Sequence, residues 1–225
     1  MKPLDEGHQK IRAALLEQYR RRSTGILHLG AHLGQEARDY AALSKPVLWV
    51  EALPPIHARL AKHLEKFPGQ RALCALLGDR NGIQQTFHIS NNGDGISSSM
   101  FEFGDYASGD QSLWPKLKLA MVDSVTLPTI RLDTLLQDNE IDGRNLDFWV
   151  LDLQGAELLA LLGCGDLLAH CRALYVEVST VEVYRGGVLW SELRHWLERR
   201  GFDPLWEPGR PHDNVLFIRR GDEMQ

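Results

Sequence analysis

ILHLGAHLGQEA, residues Ile26 to Ala37, decides how this chain is read. A short apolar run, Ile26–Leu29, is followed by Gly30 and Gly34 and then by a segment of helical character, expected over Gln35–Leu43. A strand that ends in a two-glycine turn and opens into a helix is how a βαβ unit begins. Outward from it the rhythm repeats. Val47–Val50 reads as a second strand, and a helix begins at Pro54-Pro55 and runs to about Lys66, where Phe67-Pro68-Gly69 ends it. Arg71–Leu77 is the third strand candidate. Strands joined by crossover helices are parallel, so the fold expected is an open, doubly wound α/β sheet.

The middle of the chain breaks this rhythm. Ile83–Ile89 reads as an extra strand, because Phe87 and Ile89 alternate with polar neighbours. From about residue 90 to 124 runs a long segment containing SNNGDGISSSMFEFGDYASGDQSLWP, rich in Gly, Ser, Asn and Asp. A loop of that length inside a compact domain is mobile or functional. Its aromatics (Phe101, Phe103, Tyr106, Trp114) favour a partly ordered lid or substrate loop over a plain linker. The alternation resumes with a strand at Val125–Leu132 and a helix from Asp133, with Asp133 as its N-cap. LDFWVL, Leu146–Leu151, is a near-continuous apolar run, as expected of a central strand covered on both faces. Ala156–Leu162 and Leu189–Arg200 read as helices on either side of a buried strand, Ala173–Val178. The two apolar stretches of Phe202–Arg220, separated by EPGRPHDN, predict a terminal hairpin. At the other end, Leu4, Ile11, Leu15 and Tyr19 recur at helical spacing and predict an amphipathic helix over about residues 5–22. The organisation expected is that helix within residues 1–24 and one domain over 25–225.

A chain of 225 residues with ordinary apolar and charged fractions can bury a substantial core. Its formal charge of −5 argues against a generic nucleic-acid binder, which carries a basic face. The one dense basic stretch, Tyr19-Arg20-Arg21-Arg22, reads as a solvated helix end that suits the macrodipole. No apolar run approaches the roughly 20 residues of a membrane span, and the first residues lack the apolar core of a secretory signal. Cys74, Cys164 and Cys171 show no metal-ligand spacing and are expected as small buried groups in a reducing cytoplasm. A homo-oligomer is left open, with the first helix as its contact if that helix does not simply pack on its own domain.

In open α/β sheets ligands sit beyond the carboxyl ends of the strands, so the residues just after each apolar run matter most. The sequence places there Gly30-Ala-His-Leu-Gly34, then Glu51, then Gly78-Asp79, then Asp152-Leu-Gln-Gly-Ala-Glu157, then Glu177-Val-Ser179. Gly30 lets the backbone approach a ligand closely, Gly34 permits tight helix packing, and free amides at the helix start could receive an anion. Glu51, 21 residues after Gly30, could accept both hydroxyls of a ribose. Dinucleotide folds and S-adenosylmethionine folds share this turn and acid. The turn here lacks the middle glycine that faces a pyrophosphate, there is no second domain for a hydride acceptor, and the terminal hairpin suits a sheet closed by an antiparallel strand. All three favour the methyl donor.

Read in order, HLGAHLGQEA, WVEALPP, ALLGDRNG, TLPTIRLDTLL, LDFWVLDLQGAELLALLG and LYVEVS…VYRGG resemble the blocks of the FkbM-type S-adenosylmethionine-dependent methyltransferases over about residues 25 to 205. The most specific block is Asp152-x-Gln154-Gly155-Ala156-Glu157. The resemblance implies a Rossmann-like class I methyltransferase fold: a mostly parallel seven-stranded sheet with an antiparallel C-terminal strand and helices on both faces. It implies O-methyl transfer to a hydroxyl of a small acceptor such as a sugar, glycolipid or secondary metabolite. Gly30, His32 and Gly34 would surround the methionine part of the cofactor, Glu51 its ribose, and Asp79 its adenine, unless Asp79 only serves an Asp-Arg-Asn-Gly turn. The first block departs from the family, which commonly has an acid before the first glycine and an asparagine between the two; here these are His28 and His32.

Asp152 ends the most buried strand, where it could touch the cofactor and take a proton from the acceptor, and Glu177 could assist it. Glu157, in the first turn of a helix, is read as structural rather than catalytic. Two acids on adjacent strand ends could also hold Mg²⁺ with waters, but no third ligand is evident and no metal is predicted. Ser98, Ser99, Gln154 and Tyr184 are placed on the acceptor side; His88 and His212 receive no assignment. Two other readings stay open: a nicotinamide-dependent oxidoreductase, and a binding module that keeps the fold without turnover.

Overall fold

The computed structural model describes residues 6–222. In chain order its elements begin with α1 (Glu6–Arg22), β1 (Ile26–Leu29), α2 (Ala37–Ala41), β2 (Val47–Glu51), α3 (Pro54–Leu64), β3 (Gln70–Cys74), β4 (Leu76–Leu77) and β5 (Gln84–Ser90). The short α4 (Asp105–Ser108) interrupts a long connection, followed by β6 (Met121–Ile130), α5 (Leu132–Asp138), β7 (Phe148–Leu151) and α6 (Glu157–Leu162). β8 (Ala173–Ser179), α7 (Trp190–Glu198), β9 (Phe202–Pro204) and β10 (His212–Arg219) complete it.

Seven strands form the main sheet in the order β3-β2-β1-β7-β8-β10-β9. Neighbours from β3 to β8 run parallel, while β10 runs antiparallel to both β8 and β9. This is the mostly parallel seven-stranded sheet that the resemblance implies, with the terminal hairpin supplying its reversed strand. Alternate residues of each strand face opposite sides. Leu27, Leu29, Trp149 and Leu151 pack with Leu135, Leu161 and Leu193, so α5, α6 and α7 cover one face. Ile26, Trp49, Phe148 and Val150 pack with Tyr19, Tyr40 and Leu60, so α1, α2 and α3 cover the other. All side chains of β1, β2 and β7 are buried, which explains their unbroken apolar runs.

The helices after β1 and β7 leave to opposite faces, and the crevice between those two strands is where the strand order reverses. Here the backbones nearly touch. A Cβ on Gly30, whose φ is +85°, would lie 1.8 Å from the carbonyl oxygen of Asp152. Glycine is needed at this position for the neighbouring strand end. Gly34, with φ +70°, does serve helix packing: a Cβ there would lie 2.7 Å from Leu60 of α3.

Several local expectations are corrected. The single third strand over Arg71–Leu77 is two: at Ala75, whose amide donates to the Glu51 carbonyl, the chain leaves the main sheet. Leu76-Leu77 then pair with β6, which also pairs antiparallel with β5, in a separate three-stranded sheet. The strand expected at Val125–Leu132 starts earlier, at Met121, and ends at Ile130. The helix after the first turn is only five residues long. Asp133 is not an N-cap: Arg131 holds that place, and the Asp133 carboxylate inside the first turn takes the Arg131 guanidinium and the Thr134 amide. α1 lacks the apolar stripe expected of it. Leu4 lies outside the described residues, Ile11 is 60% exposed, and Tyr19 is its one buried side chain. Of the basic end expected to be solvated, Arg21 and Arg22 are exposed while Arg20 lies over Tyr40 and Tyr175, and earlier in the helix Arg12 lies over Trp206 and pairs with Asp213. Cys164 and Cys171 are buried, but Cys74 is exposed. Among the described residues no helix is long and apolar enough to cross a membrane.

The Gly30 contact yields a direct test. Gly30→Ala combines a left-handed backbone with a clash against main chain, and urea unfolding is expected to show a loss of at least about 2 kcal/mol. Wild-type stability in this variant would show that the two strand ends separate freely.

Candidate active site

A cavity of about 240 Å³ opens at the β1/β7 crevice. Its floor is made by strand ends and the loops that follow them: His28, Gly30, Ala31 and His32 after β1, Glu51 and Ala52 after β2, and Asp152, Leu153 and Gln154 after β7. Its far wall is apolar, built from Leu53 before α3 and Ile56 in its first turn, Leu76, Leu77 and Phe87 of the small sheet, and Met100. Gly95, Ile96 and Ser98 of the long connection close it from above.

The polar groups are tightly held. Glu51 is buried, and each of its oxygens accepts one main-chain amide: Oε2 from His32 at 2.8 Å and Oε1 from Leu53 at 2.9 Å. Burial raises its pKa, against the opposing pull of those amides. His28 is buried, stacked on Trp49 at 4.6 Å, and bonded through Nδ1 to the Tyr40 hydroxyl at 3.2 Å. Burial, reinforced by the Arg20 charge, lowers its pKa to about 3, so its ring is neutral. His32, with φ +44°, is oriented by Gln35, whose amide nitrogen lies 2.9 Å from its Nδ1.

The Asp152 block forms a second layer of order. Gln154 has φ +54°, a conformation rare outside glycine, and its side chain is bonded on three sides. Its Nε2 donates to Asp152 Oδ1 and, at 2.8 Å, to Glu177 Oε2, while its Oε1 accepts from the Tyr184 hydroxyl. Its carbonyl accepts from Ser99 Oγ at 2.7 Å. The Asp152 pKa is raised well above the usual carboxylate range by burial and then by the Glu177 charge. Glu157 is buried, and its Oε1 accepts the amides of Leu153 at 2.9 Å and Gly155 at 3.2 Å. It ties the loop together.

A family model for the methyltransferase FkbM domain matches residues 28–204. The chain belongs to the FkbM methyltransferase family. It is 27% identical over 163 residues to the 2-O-methyltransferase NoeI of Sinorhizobium fredii (strain NBRC 101917 / NGR234), a stretch covering 72% of this chain and 65% of that enzyme. The chain thus spans just under two-thirds of that relative. Among solved structures, monomeric WbdD matches with a TM-score of 0.50 at 12% identity, covering 92% of this chain and 40% of that one, a likeness of fold alone. Magnesium protoporphyrin IX methyltransferase (ChlM) from Synechocystis PCC 6803 matches with a TM-score of 0.44 at 10% identity, covering 94% and 77%.

In this FkbM methyltransferase domain, Gly30, His32, Glu51, Asp152, Gln154 and Ser98 all line the cavity. Gly34 does not, because it faces Leu60. Asp79 does not either: β4 carries it away with the small sheet, where it meets Arg80 and its carbonyl accepts from Arg131. Several amides of the turn after β1 are already engaged. Those of Gly30 and Ala31 donate to Val50, that of His32 to Glu51, and that of Gly34 to Ala31. Of the serines expected on the acceptor side, Ser98 Oγ accepts the Ser90 amide and Ser99 Oγ donates to the Gln154 carbonyl. Asp152 and Glu177, the pair considered for Mg²⁺, are bridged by the Gln154 amide. Sequence reasoning missed the apolar wall of Phe87 and Met100, and it missed His212, which contacts Glu177 at 2.9 Å.

Burial raises the Glu157 pKa from 4.5 to about 7. An acid whose folded pKa is raised contributes stability at low pH that is lost as pH rises from its unfolded value through its folded one. Between pH 5 and 8 the wild type is therefore expected to lose about 2–3 kcal/mol relative to Glu157→Gln, read by urea unfolding. Parallel stability profiles for the two proteins would contradict the burial assigned to this carboxyl.

Proposed function

We propose that this domain binds S-adenosylmethionine in the β1/β7 cavity and methylates a hydroxyl oxygen of a small acceptor, a sugar, glycolipid or secondary metabolite. The observation that carries the reading is the charge of the cavity. Its lining includes three carboxylates, Glu36, Glu51 and Asp152, and among the described residues no lysine or arginine. That lining suits a donor bearing a sulfonium and an ammonium, and it repels the pyrophosphate of a nicotinamide dinucleotide. The occupied amides of Gly30, Ala31 and His32 weaken the dinucleotide reading further.

The residues present fit the donor. The wall of Leu53, Ile56, Phe87 and Met100 suits an adenine ring, and each Glu51 oxygen, holding one amide, keeps a lone pair for a ribose hydroxyl. Glu36 and Asp152 would face the methionine end. When bound, S-adenosylmethionine supplies an electrophilic methyl group. The chain's own part is to place the acceptor oxygen and receive its proton. Asp152 is suited to receive it, because burial and Glu177 hold its pKa above that of an ordinary carboxylate and so raise its basicity. Glu177 supports it through the shared Gln154 amide. The O-methyltransferase named among the relatives supports a hydroxyl acceptor.

Calorimetry with S-adenosylmethionine, S-adenosylhomocysteine and NAD tests the donor, and the first two are expected to bind below millimolar concentration; preference for NAD would reverse the reading. Glu51→Gln is expected to raise the Kd for either sulfur ligand about tenfold or more, by loss of a hydrogen bond to a charged group. Unchanged affinity would place the ribose elsewhere. For the transfer itself, labelled donor is offered with a panel of hydroxylated compounds. With an acceptor that turns over, Asp152→Asn is expected to cut kcat about 10²-fold or more while donor affinity holds. Comparable turnover would remove Asp152 as the proton acceptor, and donor binding without transfer to any compound would favour a binding module.

A further inference from the structure

His212 lies outside the residues that the family model matches, yet it completes the polar network behind Asp152. It is the first residue of β10, the one antiparallel neighbour of β8, so that strand begins where the parallel strands end. Its Nε2 lies 2.9 Å from Glu177 Oε1 and its Nδ1 lies 2.7 Å from Ser179 Oγ. Trp114, from the long connection before β6, lies edge-on to the ring at 5.2 Å. Both His212 and Glu177 are largely buried, with side chains 16% and 14% exposed. The other Glu177 oxygen accepts from Gln154, whose same amide nitrogen reaches Asp152.

We propose that His212 is a positioning residue: through Glu177 it anchors the Gln154 amide and thereby aims the Asp152 carboxylate at the acceptor. The chemistry of the network supports this. Gln154 is in a left-handed conformation that must be held from outside, and its amide spends both hydrogens on carboxylates. The Glu177 charge makes both Asp152 and Glu157 harder to ionise, and the Glu157 charge adds to this at Asp152. Without His212, Glu177 Oε1 would lose the donor that holds it. The groups facing His212 are Glu177 and Ser179 on β8, Glu157 on α6, Asp213 on its own strand and Trp114 above. Burial alone would lower its pKa, but the Glu177 carboxylate and the further charges of Glu157 and Asp213 outweigh that and raise it. Facing a carboxylate oxygen, which only accepts, the His212 Nε2 carries the hydrogen and donates to Glu177. This inference rests on the methyl-transfer reading only for its kinetic consequence, because the network can be observed without turnover.

The experiment therefore has two arms. In the first, the side-chain amide signal of Gln154 is followed by ¹⁵N NMR through a pH titration of the intact protein. In wild type it is expected to move with the same midpoint as the His212 ring, and in His212→Ala that movement is expected to vanish. A Gln154 signal indifferent to His212 overturns the proposal whether or not the protein transfers methyl groups. In the second arm, run with an acceptor that turns over, His212→Ala and His212→Asn are expected to lower kcat roughly 10²-fold, the cost of a misplaced catalytic group. The donor KM is expected to stay within about twofold. His212→Gln, whose Nε2 can reach Glu177, is expected to recover most of that loss. Equal defects in the Gln and Ala variants would show that the ring serves only packing, and full activity in His212→Ala would likewise overturn the role.

Discussion

The close approach of Gly30 to the Asp152 carbonyl is the constraint on which the rest of the molecule depends. β1 and β7 run side by side in register from Ile26↔Phe148 to Leu29↔Leu151, and the helices that follow them depart to opposite faces of the sheet. A crevice must open where they part, and its width is set by a contact that only glycine allows. Everything polar in the site is arranged around that opening. Glu51 lies on one side, pinned by two amides, and the Asp152 loop lies on the other, pinned by Glu157.

The site is also a problem in packing like charges. Asp152, Glu157 and Glu177 converge in partly buried surroundings, which is unfavourable unless each has partners. The fold answers with different means at each carboxyl: main-chain amides for Glu157, a histidine for Glu177, and the shared Gln154 amide between Glu177 and Asp152. Gln154 accepts a strained backbone to make that link, a strain of about 1–3 kcal/mol that its side-chain bonds and the Ser99 hydroxyl hold in place. Of these three carboxyls only Asp152 also lines the cavity, beside Glu36 and Glu51.

Much of this was legible in the chain. The buried central strands announced themselves as LDFWVL and ILHL because strands covered on both faces lose their polar alternation. The acids at their ends could be placed on one edge from the order of strands and helices alone. What misled was local chemistry with two equally good uses. Arg71–Leu77 is apolar enough for one strand, but Ala75 diverts it into a second sheet, and Asp79 leaves with it. Asp133 has the chemistry of a cap and instead binds Arg131. Gly30 has the signature of a ligand turn and its open side faces Asp152. His212 was readable only in principle: the first residue of a reversed last strand necessarily meets the carboxyl edge of its parallel neighbour. No spacing in the sequence ties it to Glu177.

By itself, then, the sequence determined the doubly wound sheet, its reversed final strand, the crevice between its central strands, and the acids Glu51 and Asp152 that line it. It could do so because hydrophobic periodicity and strand order are properties of short stretches, and those stretches set topology. Only the tertiary structure decided which oxygen meets which donor. The Gln154 bridge joins residues 152, 154, 177 and 184, and its histidine anchor enters from residue 212. Contacts between segments so far apart in the chain depend on how strands register and loops pack, and neither is written in any local pattern.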